Sequence, residues 1–387
     1  MAPVNEADAP PRTRQRLLSS SSNPPGDSLQ APPLPSLPFD LVVEIMCRLP
    51  VKPVLRFRCV CKSWKSLISD PRFAKKHLRC SPKTDFTRHH LILHYNTSSR
   101  RRRKDYVHTD YPLLSVLNAA MPTPTTTTTT QFKFDQNNLH SIVGSCDGII
   151  CIVADYGNSI ILWNPSIRRF NILPSSMESP RLYGFGYDNL SDTYKIVAIS
   201  CYSDYQTQVK VHTLGTHCWR KIQDFLPSCE PFVGTTGIFV SDTLNWLSYE
   251  EGANCFIMSL HLGNECYRKL LLPPNGAGPD GLGVLRDCLS MLSGNYQVCD
   301  VWLMKEYGNQ QSWTKLFSVA KQLFHHQVFD TLHIFEEDQL LLVCGSKLYL
   351  YHPRDNTLKT HQIQNITGWV VPGVYVESLI SPSLDRY

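Results

Sequence analysis

The sequence predicts an α+β multidomain protein: a small three-helix segment followed by an all-β propeller of about six blades. Three observations carry this reading. Apolar residues recur at helical spacing from Leu34 to about Leu78. Past Arg79 that period gives way to short β-rich runs separated by turn residues. Within the β-rich part, one strand–turn–strand unit returns every 45–50 residues.

Residues 1–33 are rich in Pro and Ser, with Ser19 to Ser22 in a row, and hold nothing that could build a core. A disordered tail is expected there. The helical domain is expected over 34–80. Pro38 suits a first helical turn, where its missing N–H costs nothing, and Asp40 suits the positive end of the helix dipole. Leu41, Ile45 and Leu49 then recur every four residues, with Val42 and Met46 beside them. Pro50 stops this helix, and Pro53 can open a second one carrying Val54, Leu55 and Phe57. Val60, Trp64, Leu67 and Ile68 define a third, which Asp70-Pro71 ends. Three short helices make only a marginal core by themselves.

The β-rich domain is expected over 86–387. Its strand–turn pairs are Ile160–Phe170, Val209–Trp219, Ile257–Tyr267, Val301–Trp313 and Leu348–Leu358. The residues opening or marking each second strand, Phe170, Trp219, Tyr267, Trp313 and Leu358, are separated by 49, 48, 46 and 45 positions. Trp163-Asn164-Pro165 and Tyr351-His352-Pro353 lie 188 apart, four steps of 47. Several strands per unit at that period describe a propeller of kelch-like size, and about 300 residues accommodate roughly six blades. A β-sandwich or a meander with evenly spaced hairpins is the alternative. A ring must hide its two open edges, so Val374–Leu379 is expected to pair with Leu91–Tyr95. Arg100–Lys104 and the Pro122–Thr130 tract interrupt the pattern and suit a disordered loop near 97–130. The basic run also has the composition of a nuclear signal.

Composition narrows the function classes. Of 387 residues, 42% are hydrophobic and 18% charged, which argues for folded domains. No apolar run is long enough to span a bilayer, and the first 33 residues lack a signal-peptide core, so neither membrane insertion nor secretion is expected. A cytoplasmic or nuclear location follows, with the 14 cysteines as reduced thiols. The net charge is +5, but residues 34–80 alone carry 10 Lys/Arg against 3 Asp/Glu. This basic excess in a short segment marks a partner-binding surface. Nucleic acid is not the expected partner, since the pI is only about 8.5.

No catalytic, cofactor or metal site is expected. Gly144–Gly148 has the GxCxG spacing of a nucleophile elbow, but the strand-forming IICIV follows where a helix is required, so a tight hairpin is the better reading. Pro273–Gly283 is glycine-rich without a phosphate-loop ending. His89-His90 and His325-His326 are adjacent pairs whose side chains point to opposite faces of a strand. No cysteine spacing is of zinc-ribbon type. Trp163, Trp219, Tyr267 and Trp313 could line a channel, but their repeat position favours packing between strands.

The segment Leu37 to Phe73, LPFDLVVEIMCRLPVKPVLRFRCVCKSWKSLISDPRF, resembles the F-box over nearly its whole length. Leu37-Pro38, Ile45, Leu49-Pro50, Val51, Leu55, Val60–Trp64, Leu67-Ile68, Pro71 and Phe73 carry the match. From Ile142 onward the chain resembles the F-box-associated region of plant F-box/kelch-repeat proteins, through Gly144–Gly148, Leu162–Pro165 and Gly184–Asp188. The resemblance implies a non-enzymatic substrate receptor of a Skp–cullin–F-box ubiquitin ligase, with a binding or scaffold protein that uses the F-box without degradation as the alternative. The F-box would dock on a Skp-family adaptor, and through it on a cullin, while the propeller holds a protein substrate. The adaptor-binding residues it implies are Leu37, Pro38, Leu41, Ile45, Leu49, Pro50, Val51 and Leu55. A basic helical segment too small for its own core suits an acidic partner that covers its apolar residues.

Overall fold

In the computed structural model, the described residues are 37–80, 86–96, 106–118, 126–128, 141–154, 159–173, 180–201, 207–223, 230–250, 254–274, 278–295, 297–324, 330–334, 339–344, 347–362 and 370–383. The N-terminal tail, the basic run Arg100–Lys104 and the pair His325-His326 lie outside them. Four helices come first: α1 (Phe39–Arg48), α2 (Val51–Phe57), α3 (Lys62–Ser69) and α4 (Pro71–Arg79). The fourth was not foreseen. Asp70-Pro71, read as a stop, ends α3 and also starts α4: the Asp70 carboxylate accepts from Arg72 N at 2.8 Å, with Pro71 in the first helical turn. The second helix starts at Val51, two residues before Pro53, which sits inside its first turn.

The remainder is built from 24 strands, one short α-helix and a few single 3-10 turns among the described residues. In chain order come β1 (His89–Asn96), β2 (Tyr106–Pro112), α5 (Leu113–Asn118) and β3 (Thr126–Thr128). Two strands and a helix therefore occupy part of the loop expected near 97–130. The alternation of Val107, Thr109 and Tyr111 lets β2 pair along the whole of β1, from Pro112↔His90 to Tyr106↔Asn96.

Five four-stranded units follow: β4 (Ser141–Cys146) to β7 (Arg169–Leu173), with β5 (Ile149–Ala154) and β6 (Ser159–Asn164) between; β8 (Leu182–Asp188), β9 (Thr193–Cys201), β10 (Thr207–Thr213) and β11 (Arg220–Lys221); β12 (Glu230–Val240), β13 (Thr243–Glu250), β14 (Asn254–His261) and β15 (Tyr267–Leu270); β16 (Pro279–Leu285), β17 (Cys288–Gly294), β18 (Val298–Met304) and β19 (Trp313–Ala320); β20 (Asp330–Ile334), β21 (Leu340–Cys344), β22 (Lys347–His352) and β23 (Thr357–Gln362). Last comes β24 (Val370–Val376), which joins β1 and completes a sixth sheet in the order β24-β1-β2-β3. Each hairpin inferred from the repeat is the third and fourth strand of one unit. The innermost strands β24, β4, β8, β12, β16 and β20 contact one another in turn, so the sheets form a six-bladed ring.

The closing pair has Leu91 opposite Val374 and Tyr95 opposite Val370. The C-terminal strand does pair with β1 as expected, but the register differs: Leu91–Tyr95 face Val370–Val374, so of the expected segment Val374–Leu379 only Val374 meets them and the strand ends at Val376. Cores lie between neighbouring sheets. Leu91 and Leu93 pack with Leu341, Val343, Leu348 and Leu350, joining the two ends of the ring. Trp163 and Trp313 are buried between sheets as expected, Trp163 against His108 at 5.1 Å, whereas Phe170 is 51% exposed on an outer strand.

Several first-to-second-strand turns are two-residue reversals with both central residues in the left-handed region: Asp147-Gly148, Ser241-Asp242 and Arg286-Asp287. The first is the supposed nucleophile elbow, and Gly144 stands apart from it inside β4. The inner strands β8 and β12 also touch in parallel, Gly184 opposite Gly237. A Cβ on Gly237 would fall 2.5 Å from the Trp246 ring, so this approach requires glycine.

Candidate functional site

The first turn of α1 forms with the Pro38 carbonyl accepting from Leu41 N and Val42 N. The apolar residues of this helix then divide by one position. Met46 and Cys47 are fully buried and Val42 is nearly so, whereas Leu41 and Ile45, one turn apart, are each 51% exposed. Leu37 is 52% exposed and Phe39 50%, and Pro38 and Pro50 are exposed too. This density of exposed apolar side chains is unusual for a surface helix. Leu49 and Leu55 are half-buried. Val51 is the exception among the implied adaptor-binding residues: it is buried to 1%, so its side chain packs inside the chain and offers a partner nothing. Phe39 was missed by the sequence reading. Three and seven positions before Val42 and Met46, it shares their helical face, so periodicity alone gave no signal of its exposure at the start of α1.

Basic side chains cover the outer surface of the following helices: Lys52 and Arg56 on α2, Lys62 and Lys65 on α3, and Arg72, Lys76 and Arg79 on α4 are exposed. Glu44 offsets part of this charge, pairing with Arg48 at 2.8 Å and with Lys76 at 3.9 Å, and the exposed lysines and arginines still outnumber it.

The helices from Val43 onward are fastened to the propeller by buried polar groups that no motif announced. Arg88, 4% exposed, donates to the carbonyls of Leu49 at 2.8 Å, Cys47 at 3.4 Å and His77 at 3.5 Å. Cys47 and Leu49 are at the C-terminus of α1, where carbonyls lack helical partners and the dipole is negative, so a guanidinium fits there. His77 Nε2 donates to the same Leu49 carbonyl at 2.8 Å, and burial lowers the pKa of the ring so that it stays neutral.

On the other side of the elbow, Glu377 accepts from Val51 N at 3.4 Å and pairs with His90 at 3.4 Å. His90 also meets Asp110 at 3.0 Å, and Asp110 accepts from the Tyr375 hydroxyl at 3.1 Å. Burial opposes the charge on His90, but its bonds to Asp110 and Glu377 prevail and lift its pKa to about 9. Burial likewise opposes the Glu377 carboxylate, yet the bond to His90 holds its pKa below the ordinary value. A second fastening lies nearby, where Lys75 pairs with Asp192 at 2.6 Å.

These contacts place the helical segment from Val43 onward at the end of the ring that carries the tight turns, since Asp192 and Glu377 lie there. A cavity of about 190 Å³ opens near the ring axis, lined by Ile142 to Ser145 of β4, Thr236 of β12, and Pro372 to Val374 of β24, with Ile92 and Ile150 behind. It is smaller than the roughly 300 Å³ at which ordinary ligand pockets begin. Among the described residues no group of three or more His, Cys, Asp or Glu is arranged to hold a metal ion, and no helix is long and apolar enough to cross a membrane.

Comparison with known proteins matches residues 34–76 to the F-box domain and residues 107–382 to the F-box associated beta propeller domain. Similar proteins include three from Arabidopsis thaliana. F-box/kelch-repeat protein At3g23880 is 31% identical over 370 residues, covering 90% of this chain and 96% of its own. Putative F-box protein At1g47790 is 31% identical, with 90% and 80% covered, and F-box protein CPR1 is 28% identical, with 74% and 73% covered. An exposed apolar first helix, a basic helical surface, and a six-bladed ring matched over most of its length thus agree: the chain belongs to the F-box proteins that carry an F-box associated β-propeller domain.

Proposed function

We propose that this protein is the substrate-recognition subunit of a Skp–cullin–F-box ubiquitin ligase, acting in the cytoplasm or nucleus. The F-box docks on a Skp-family adaptor, the adaptor brings the cullin, and the propeller holds a protein substrate for ubiquitination and proteasomal degradation. The exposed row Leu37, Leu41 and Ile45 carries this reading: α1 has an inward face of its own, so these residues are left for a partner. The exposed lysines and arginines of α2 to α4 suit an acidic adaptor and would raise the association rate more than the affinity. The chain supplies no catalytic group in this scheme. It accelerates transfer by holding substrate at high effective concentration near the conjugating enzyme.

The test is capture of the adaptor and cullin by the full chain. Buried interface anchors cost about 2 kcal/mol or more each when truncated, so Leu41→Ala with Ile45→Ala should abolish capture. Unchanged capture with both substitutions would overturn the docking assignment. Proximity labelling with and without proteasome inhibition separates a degradative receptor, whose substrates accumulate under inhibition, from a scaffold, whose partners do not.

A further inference from the structure

We propose that Glu377, the first residue after the ring-closing strand, is a positioning residue for adaptor docking: it caps the N-terminus of α2 and, opposite Arg88, fixes the Leu49-Pro50-Val51 elbow. The inference rests on the docking reading above and adds to it that the last strand of the propeller helps set the adaptor affinity of the F-box.

The elbow joins two helix ends of opposite sign. The C-terminus of α1 presents the Cys47 and Leu49 carbonyls, and the N-terminus of α2 presents the Val51 N–H. Neither α2 nor its N-cap residue Pro50 supplies a side-chain cap. The propeller supplies both complements: the Arg88 guanidinium at the negative end and the Glu377 carboxylate at the positive end. These two residues are themselves tied, since Glu377 N donates to the Arg88 carbonyl at 2.8 Å. Glu377 is braced in turn by His90, which Asp110 holds from the far side. The carboxylate therefore cannot swing away without leaving a buried imidazolium short of a partner.

The elbow carries Leu49 and exposed Pro50, both expected at the adaptor interface, while Val51 anchors it inside. A docking segment held in one geometry before binding loses less conformational freedom on association, so its affinity is higher for the same contacts. Ring closure delivers Glu377 to this place. The bond joins residues 326 positions apart, so only a completed propeller presents the cap.

The test measures adaptor affinity of the full chain carrying Glu377→Ala, Glu377→Gln, or Leu41→Ala with Ile45→Ala. Hydrogen exchange over 49–57 and thermal melting are followed in parallel. Loss of a helix cap and its charge pair is worth about tenfold in affinity if the elbow must be re-ordered on binding. Glu377→Ala should therefore bind about tenfold more weakly and exchange faster at the start of α2, with the propeller melting little changed. Glu377→Gln keeps an acceptor for Val51 N–H but loses the charge, and should bind about twofold to threefold more weakly than the parent with somewhat faster exchange. Parent-like affinity for Glu377→Ala, with capture lost in the Leu41/Ile45 variant, would refute the positioning role and leave docking intact. Parent-like affinity in all variants would refute docking itself. If Glu377→Ala fails to fold, Glu377→Gln decides: affinity and exchange both equal to the parent would overturn the proposal, and a twofold to threefold loss with faster exchange would support it.

Discussion

Replacing Asn164 by Ala should loosen the C-terminus from the ring. Asn164 ends β6, is 0% exposed, and its Nδ2 lies 3.2 Å from the Ser378 carbonyl, 3.0 Å from Ser378 Oγ and 2.8 Å from the Ile380 carbonyl. Its Oδ1 accepts from Ser166 N at 2.9 Å and shapes the turn that follows. Alanine removes the donor and leaves the Ser378 and Ile380 carbonyls without it in a buried place, at about 1–3 kcal/mol each. Taking the lower half of that range, the loss is about 3 kcal/mol. Unfolding entropy near 2.1 cal/mol/K per residue over roughly 300 propeller residues gives about 0.6 kcal/mol/K, hence a Tm about 5 °C lower. Differential scanning calorimetry reads the shift, and hydrogen exchange over 377–383 reads its location. Asn164→Asp should be worse, because it sets an anion against two carbonyls. A Tm within about 1 °C of the parent, with unchanged exchange at 377–383, would refute the claim that this side chain holds the C-terminal segment.

Three further outcomes are expected. Leu41→Ala with Ile45→Ala should shift Tm by less than about 2 °C, since both side chains are half exposed, so circular dichroism melting of the variant separates lost docking from lost folding. Deleting residues 370–387 should lower the melting temperature of the whole propeller: the deletion exposes the β1 edge and removes buried Val370, Tyr375, Leu379 and Ile380, and a truncated chain melting with the parent would contradict ring closure. The junction should also be pH-sensitive. His90, facing Asp110, Glu377, Tyr375 and neighbouring Arg88, has its folded pKa raised to about 9, so its contribution is full below the unfolded value near 6.5 and is lost as pH rises through 9. Glu377 is shifted down, so its contribution is present above the unfolded value near 4.5 and fades as pH falls through the lowered one. Melting temperatures from pH 4 to 10 should therefore fall on the alkaline side of 6.5, and His90→Gln should flatten that limb.

Much of the architecture was legible because propeller blades are local in sequence. A hairpin pairs residues a few positions apart, so alternation, turn residues and the 45-to-49-residue spacing of Phe170 through Leu358 record it directly. The first helix was legible for the same reason, through its four-residue period. That period could not say which of two adjacent rows faces inward: Leu41 and Ile45 are as apolar as Val42 and Met46, and only packing put the second pair inside. Likewise Val51 reads as an interface residue and is core, and Asp70-Pro71 reads as a stop and is also a start.

The sequence by itself determined the order of a helical segment before a β-rich one, the repeating hairpins and the family to which the chain belongs. Tertiary structure alone decided how the ends meet. Asn164 looked like part of a triplet matched by Tyr351-His352-Pro353, yet its partners are Ser378 and Ile380, more than 200 residues away. Arg88, His90 and Glu377 belong to no pattern at all, because each answers a buried helix end or charge that exists only once the ring has closed. Periodicity records what a residue does to its neighbours in the chain, and the satisfaction of buried polar groups depends on neighbours that folding supplies.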